Sequence, residues 1–165
     1  MVIMVFRKGE WQMSLIQQIA YHKWATLKVV QHIEELPSSL YHQGIISVFP
    51  SIYHTCEHMI KADEVWLSRL QDKEARTFSS STPKILRENY EVVLNDLVTF
   101  IENEITENRV ITYKSFDGET FSNTVEEIIQ HIVNHGTYHR GNISAMLRQL
   151  NNRSVPTDYL YFLRK

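Results

Sequence analysis

The sequence predicts an all-α protein, a four-helix bundle forming one domain, with a small β-hairpin between its third and fourth helices. Three observations lead there. Four stretches of the 165-residue chain repeat apolar residues every three or four positions, the period of a helix that buries one face. The connections between them are polar and break that period. In the last stretch two histidines, His135 and His139, stand where the apolar stripe would otherwise continue, and helical bundles build metal sites in their cores from facing helices.

Composition bounds the possibilities. With 43% hydrophobic and 22% charged residues, the chain fits one soluble globular domain spanning residues 1–165. The net charge is −2, with 17 Lys and Arg scattered against 19 Asp and Glu. Neither the basic stripe of a nucleic-acid binder nor the basic face of a peripheral membrane helix is visible, so neither partner is expected. A single cysteine, Cys56, excludes an intramolecular disulfide framework, and no apolar run approaches the roughly 20 residues of a membrane span. The opening Met1 to Lys8 carries its charge after a very short apolar run, the reverse of a secretory signal. A cytoplasmic location is expected.

Taken in order, residues 1–13 fit no element and are expected to lie outside the core. Lys8-Gly9-Glu10 can be encoded by a purine-rich stretch at ribosome-binding distance, which makes Met13 a candidate initiator in place of Met1. Native protein whose N terminus precedes Met13 would exclude this. Ser14 with Gln17 has a capping-box pattern, and Ile16, Ile19, Ala20, Leu27, Val30 and Ile33 continue the period until Leu36-Pro37. The first helix is therefore expected over about Leu15 to Glu35. Ser38 to Gly44 reads as a loop, and a second helix is expected to begin near Ser47 to Pro50, since proline is tolerated in a first turn. It would turn Ile52, Thr55, Met59, Ala62, Trp66 and Leu70 inward, with His58 beside that stripe.

Residues 72–83 are polar and aperiodic. Extended, a dozen residues reach roughly 40 Å, against roughly 36 Å for a helix of about 24 residues, so this linker can cross the whole bundle. From Lys84, the residues Leu86, Tyr90, Val93, Leu94, Leu97, Phe100, Ile101 and Ile105 make a third helix ending near Asn108. Arg109 to Lys114 alternates, Asp117-Gly118 is a hairpin turn signal, and Glu119 to Ser122 answers as the return strand. Thr124 with Glu127, or Asn123 with Glu126, caps a fourth helix running to about Asn151. Val155-Pro156 breaks it and leaves an aromatic tail, expected to pack on the bundle.

The inward stripe of the fourth helix reads Ile128, Ile132, His135, His139, Ile143, Met146 and Leu150. Residues four apart on a helix have Cβ atoms about 5 to 6 Å apart, so His135 and His139 can offer their imidazoles to one ion. A buried imidazole with unpartnered nitrogens costs roughly 1 to 3 kcal/mol. A divalent transition metal relieves that cost, and His58 of the second helix is the candidate third ligand. Three histidines leave a fourth tetrahedral position open to water or substrate, as in catalytic zinc sites. Spacing alone leaves a second reading open, in which the three histidines are bonded to backbone or water.

Four segments together resemble the DinB/YfiT-like family of metal-binding four-helix bundles, the damage-inducible DinB family. They are Tyr21-His22-Lys23-Trp24-Ala25, His58 through Ala62-Asp63-Glu64-Val65-Trp66-Leu67, Asn134-His135-Gly136-Thr137-Tyr138-His139-Arg140-Gly141, and Asp158-Tyr159-Leu160-Tyr161-Phe162-Leu163-Arg164. The resemblance runs from about Met13 to the end. It implies an up-down-down-up bundle, a divalent metal, zinc or nickel, on His58, His135 and His139, and a tendency to form a homodimer. Asn142 departs from the pattern, since many relatives carry glutamine after the Arg-Gly pair.

Relatives of this fold include transferases that join low-molecular-weight thiols such as bacillithiol or mycothiol to electrophiles, and a thiol-dependent isomerase. The resemblance thus implies a metal-dependent enzyme that activates a thiol or water nucleophile. Two alternatives stay open: a non-enzymatic stress-response protein whose ion fastens the second helix to the fourth, and a metal-dependent hydrolase with Glu57 or Asp63 as base. His54 and His131 each lie one turn before a ligand candidate and are assigned supporting or packing roles. Three successive ligands at four-residue spacing rotate by about 80° around the helix and fit one ion poorly. Arg140 can bind an acidic substrate group or a helix carboxylate such as Asp63. Gly136 points to a close backbone approach. His22, His32 and His42 lack partner spacing and are assigned to surface or packing, and Cys56, about 200° around the helix from His58, to the core.

Overall fold

The computed structural model describes residues 8–103 and 109–164, with side chains from Leu15 onward. These residues form six helices and one hairpin: α1 (Lys8–Glu34), α2 (Ser39–His42), α3 (Ile52–Gln71), α4 (Pro83–Asn103), β1 (Val110–Lys114), β2 (Thr120–Thr124), α5 (Val125–Gln149) and α6 (Tyr159–Leu163). Each long helix packs on two others, α1 and α3 both lying against α4 and α5. Ile19 and Val30 of α1, Ile60 and Leu67 of α3, Tyr90 and Phe100 of α4, and Ile132 and Met146 of α5 fill the space between them, all at most 2% exposed. Fully burying a side chain of this kind stabilises by about 1.5 to 3 kcal/mol. The architecture agrees with the expected all-α class. Among the described residues no helix is long and apolar enough to cross a membrane.

Local chemistry explains most boundaries. α1 begins at Lys8, so residues 8–13 continue a helix instead of standing outside every element, and Ser14 lies inside it. Glu10, Gln12 and Met13 are good helix formers, and their propensity carries the helix through a residue that has the chemistry of a cap. The expected loop at Ser38 to Gly44 contains the one-turn α2. α3 starts later than expected, because Ser51 in extended conformation is its N-cap and accepts from the His54 amide at 3.2 Å. It ends where Asp72 turns left-handed, with φ 54°, and Lys73 N–H returns to Ser68 O at 2.9 Å. The expected end of the third long helix near Asn108 lies outside the described residues.

The linker that follows α3 is tied down. Arg76 donates to both oxygens of the buried Glu64, at 2.9 and 2.7 Å, and Tyr41 of α2 donates to Ser80 O at 2.8 Å. In the hairpin, Val110 pairs with Thr124 and Lys114 with Thr120, closed by a turn in which Gly118 has φ 86°. Of the two possible caps for α5, Thr124 with Glu127 is formed, both reciprocal bonds being present. The C-terminal tail packs on α1 as expected. Tyr159 and Phe162 set ring edges on Tyr21 at 5.1 and 5.9 Å, and Tyr21, Lys28 and His32 bond the backbone at Thr157, Pro156 and Arg153.

Candidate metal centre

The helical period of α5 stacks His135 and His139 one turn apart, with ring centroids 4.4 Å from each other. From α3, His58 meets them with centroids 5.0 and 4.7 Å away. One ligand nitrogen from each of the three lies within 4.8 Å of the others. His58 Nε2 and His135 Nε2 are 2.9 Å apart, near the roughly 3.3 Å expected of two nitrogens sharing a tetrahedral ion at about 2.0 to 2.1 Å each.

Two further observations decide whether these residues suit a cation. His139 is 5% exposed, and its buried Nδ1 has no hydrogen-bond partner. Burial, reinforced by neighbouring His139, pushes His135 down to about 4, and burial together with His58 pushes His139 down to about 4 as well. Burial also lowers His58, against the pull of Asp63. Near neutral pH these imidazoles are therefore uncharged and hold lone pairs, which is the form that ligates metal. The donor set fits a divalent transition ion. Phe49, whose ring lies 4.7 Å from His58 and 5.6 Å from His139, covers the cluster from the loop before α3.

Behind the histidines a buried polar relay joins three helices. Arginine can only donate, so Arg140 Nη1, 3.3 Å from His22 Nδ1, requires that nitrogen to accept. The proton of His22 then sits on Nε2, which donates to Asp63 Oδ2 at 3.0 Å. Arg140 also donates to Thr26 at 3.1 Å and Thr137 at 2.9 Å. The relay runs from α5 through α1 to α3, and His22 is fully buried within it. Gly136 makes room: a Cβ there would stand 2.4 Å from His22 Cε1 and 2.7 Å from Arg140 Nη1.

In front of the histidines a cleft of about 640 Å³ opens, with Lys61, Trp66, Arg69, Phe116 and Tyr138 in its walls. Of the other residues singled out in the sequence, His131 lines this cleft, stacked 5.8 Å from His135 and edge-on to Trp66 at 5.1 Å. His54 is exposed and bonds Ser51 at 2.7 Å, apart from the cluster. Arg140 faces away from the cleft and reaches Asp63 only through His22. Cys56 is buried in the core, where burial pushes its thiol up to about 12. His22 was assigned to surface or packing, yet it is the centre of the relay, and Phe49 carried no periodic signal at all. An imidazole beside Tyr21 and Trp24 on an apolar helix was the available hint for His22.

The fold and site define a helical protein with a three-histidine metal-type cluster at the foot of an open cleft. Comparison with known proteins places it more narrowly. The DinB family model matches residues 9–165. "Protein DinB" of Bacillus subtilis (strain 168) is 34% identical over 159 residues, covering 87% of this chain and 90% of that protein. The chain belongs to the DinB family.

Proposed function

We propose that this chain is a divalent-metal-dependent enzyme of thiol S-transferase type, built on the up-down-down-up helix order of the DinB resemblance. His58, His135 and His139 hold the ion. The single observation that carries the reading is the meeting of three neutral imidazoles, one with an orphaned buried nitrogen, at the foot of a cleft open to small molecules. Zinc and nickel both suit an all-imidazole set. A bound ion supplies Lewis acidity, which lets a thiol be held as its thiolate near neutral pH. The protein supplies orientation: the relay fixes α5 against α3, and Phe49 shields one side of the cluster from water.

The hydrolase alternative needs a carboxylate to serve as base. Asp63 is held by His22, Glu57 bonds Tyr53 at 3.2 Å and Lys61 at 3.1 Å, and no described carboxylate lines the cleft. Thiol chemistry, in which deprotonation is assisted by the cation itself, fits this lining better.

The test begins with elemental analysis of purified protein, which is expected to give about one divalent ion per chain. His58→Ala, His135→Ala and His139→Ala should lose most of it, while His32→Ala, at the tail contact on α1, should not. A cobalt-substituted sample should then gain a sulfur charge-transfer band on adding a small thiol. Equal metal in all variants would overturn the ligand assignment. A spectrum indifferent to thiols would replace the enzyme with a structural ion that fastens α3 to α5.

A further inference from the structure

The cleft walls carry a charge asymmetry that the metal chemistry leaves unexplained. Among the described residues its lining side chains include two cations, Lys61 and Arg69, and no carboxylate. Lys61 is tied, among the described residues, only to Glu57, 3.1 Å away, a solvent-accessible i,i+4 pair of the kind that contributes little and exchanges readily. Among the described residues Arg69 has no carboxylate partner. Its guanidinium carbon lies 4.6 Å from the Trp66 ring and 4.5 Å from the Tyr113 ring, and Nη2 donates to Lys114 O at 3.0 Å. These contacts hold the fork in place and spend one of its five N–H donors. A pre-positioned guanidinium with spare donors is suited to a planar anion.

The geometry also sets a length. His58, Ala62, Val65, Trp66 and Arg69 follow at three- and four-residue steps along one face of α3. Arg69 has its guanidinium drawn over Trp66, eight positions beyond His58, or about 12 Å along the helix axis. Along that stretch Trp66 faces His131, edge-on at 5.1 Å, while Tyr138, 58% exposed, stands beside His139 at the histidine end and Phe116, 94% exposed, at the hairpin tip. Such exposed rings at a cleft mouth are contact surface without a partner in the fold.

We propose that the cleft selects an elongated, flat anion: its metal-seeking end meets His58, His135 and His139, its planar body lies along Trp66, and its carboxylate is read by Arg69, with Lys61 adding charge nearer the histidines. This substrate class rests on the metal reading above. Arg69 and Lys61 are then the residues that determine specificity, and they act by binding the end of the molecule remote from the reacting group.

The experiment uses zinc-loaded protein, calorimetry and two matched pairs of rigid probes. The first pair is mercaptobiphenyl-carboxylate and its carboxamide; the second is the same pair without the thiol. In both pairs the carboxylate is expected to bind about tenfold tighter than the amide, the usual range for a charge-assisted bond. Arg69→Gln should remove most of that preference and leave carboxamide affinity unchanged. Because Arg69 also packs on Tyr113, Arg69→Lys and Lys61→Gln serve as companion variants, the first retaining part of the preference and the second reducing it. Equal affinity for carboxylate and amide in both pairs overturns the inference, as does a preference that survives loss of both cations. A thiol gain that is abolished in His135→Ala, without any charge preference, leaves the metal reading standing and sinks this one. A charge preference without a thiol gain overturns the metal reading and, with it, the metal-seeking end proposed here.

Discussion

Two glycines in one helix should respond with opposite signs to the same substitution. At Gly136 an added Cβ would lie 2.4 Å from His22 Cε1 and 2.6 Å from His22 Nδ1, and 2.7 Å from Arg140 Nη1. None of these can swing away cheaply, because both His22 nitrogens are engaged and Arg140 is buried against Thr26 and Thr137. Overpacking of this kind costs about 1 to 3 kcal/mol, and disturbing the relay adds to it, while the gain in helix propensity returns at most about 1 kcal/mol. Gly136→Ala is therefore expected to destabilise by about 2 kcal/mol, a fall of roughly 4 to 8 °C in Tm for a chain of this size. Gly141 meets nothing within 4 Å, so Gly141→Ala should stabilise by about 0.5 to 1 kcal/mol through propensity alone. Urea denaturation of both variants beside the parent measures the difference. A Gly136→Ala protein as stable as the parent would refute the notch.

Acid should act on the metal-free protein through the cluster. His135 and His139 sit near 4 when folded, against about 6.5 in the unfolded chain, so between those values the unfolded state binds more protons. Stability then rises with pH across that window and is lost as pH falls from about 6.5 toward about 4, which urea midpoints against pH will show; His135→Asn should flatten the slope. Chelation is expected to lower Tm yet leave far-UV helicity intact, since the relay still joins the helices; collapse of helicity would mean that the ion is the fastener. Arg76→Ala should cost about 1 to 2 kcal/mol by removing both guanidinium bonds to the buried Glu64 carboxylate, which keeps the backbone N–H of residue 76 at 2.8 Å, measurable by denaturation. With net charge −2 and no basic stripe, a gel-shift titration at physiological salt should show no saturable, salt-dependent DNA complex.

What the sequence revealed followed from the range of the interactions involved. The capping box of α5 and the pairing of His135 with His139 were legible because their partners lie three and four residues apart on one helix. The facing position of His58 could be inferred once α3 was seen to be amphipathic. His22 was not legible, because its two partners lie 41 and 118 residues away and its imidazole stands on α1 without a second ligand-type residue at helical spacing. Phe49 sits in a loop with no period, so its place over His58 depends on how the chain enters α3. The start of α1 was misread because Ser14 has the chemistry of a cap, and the helix-forming residues before it overrode that signal. Gly136 was legible as a close approach, but the group that approaches was not.

The relay and the histidine cluster divide the work of the α3–α5 interface. Asp63 stands five residues after His58 on α3, about 7.5 Å along its axis, and Arg140 stands immediately after His139 on α5, so the relay and the ligands engage the same two helices. His22 enters from α1, fills the notch at Gly136 and satisfies one group on each side. The separation of α3 and α5 is thereby fixed from behind by neutral and charged hydrogen bonds that need no ion. The three imidazoles in front are then held close without having to pull the helices together. Any ion held there meets preorganised ligands, and Trp66, Arg69 and Tyr138 line the cleft in front of it.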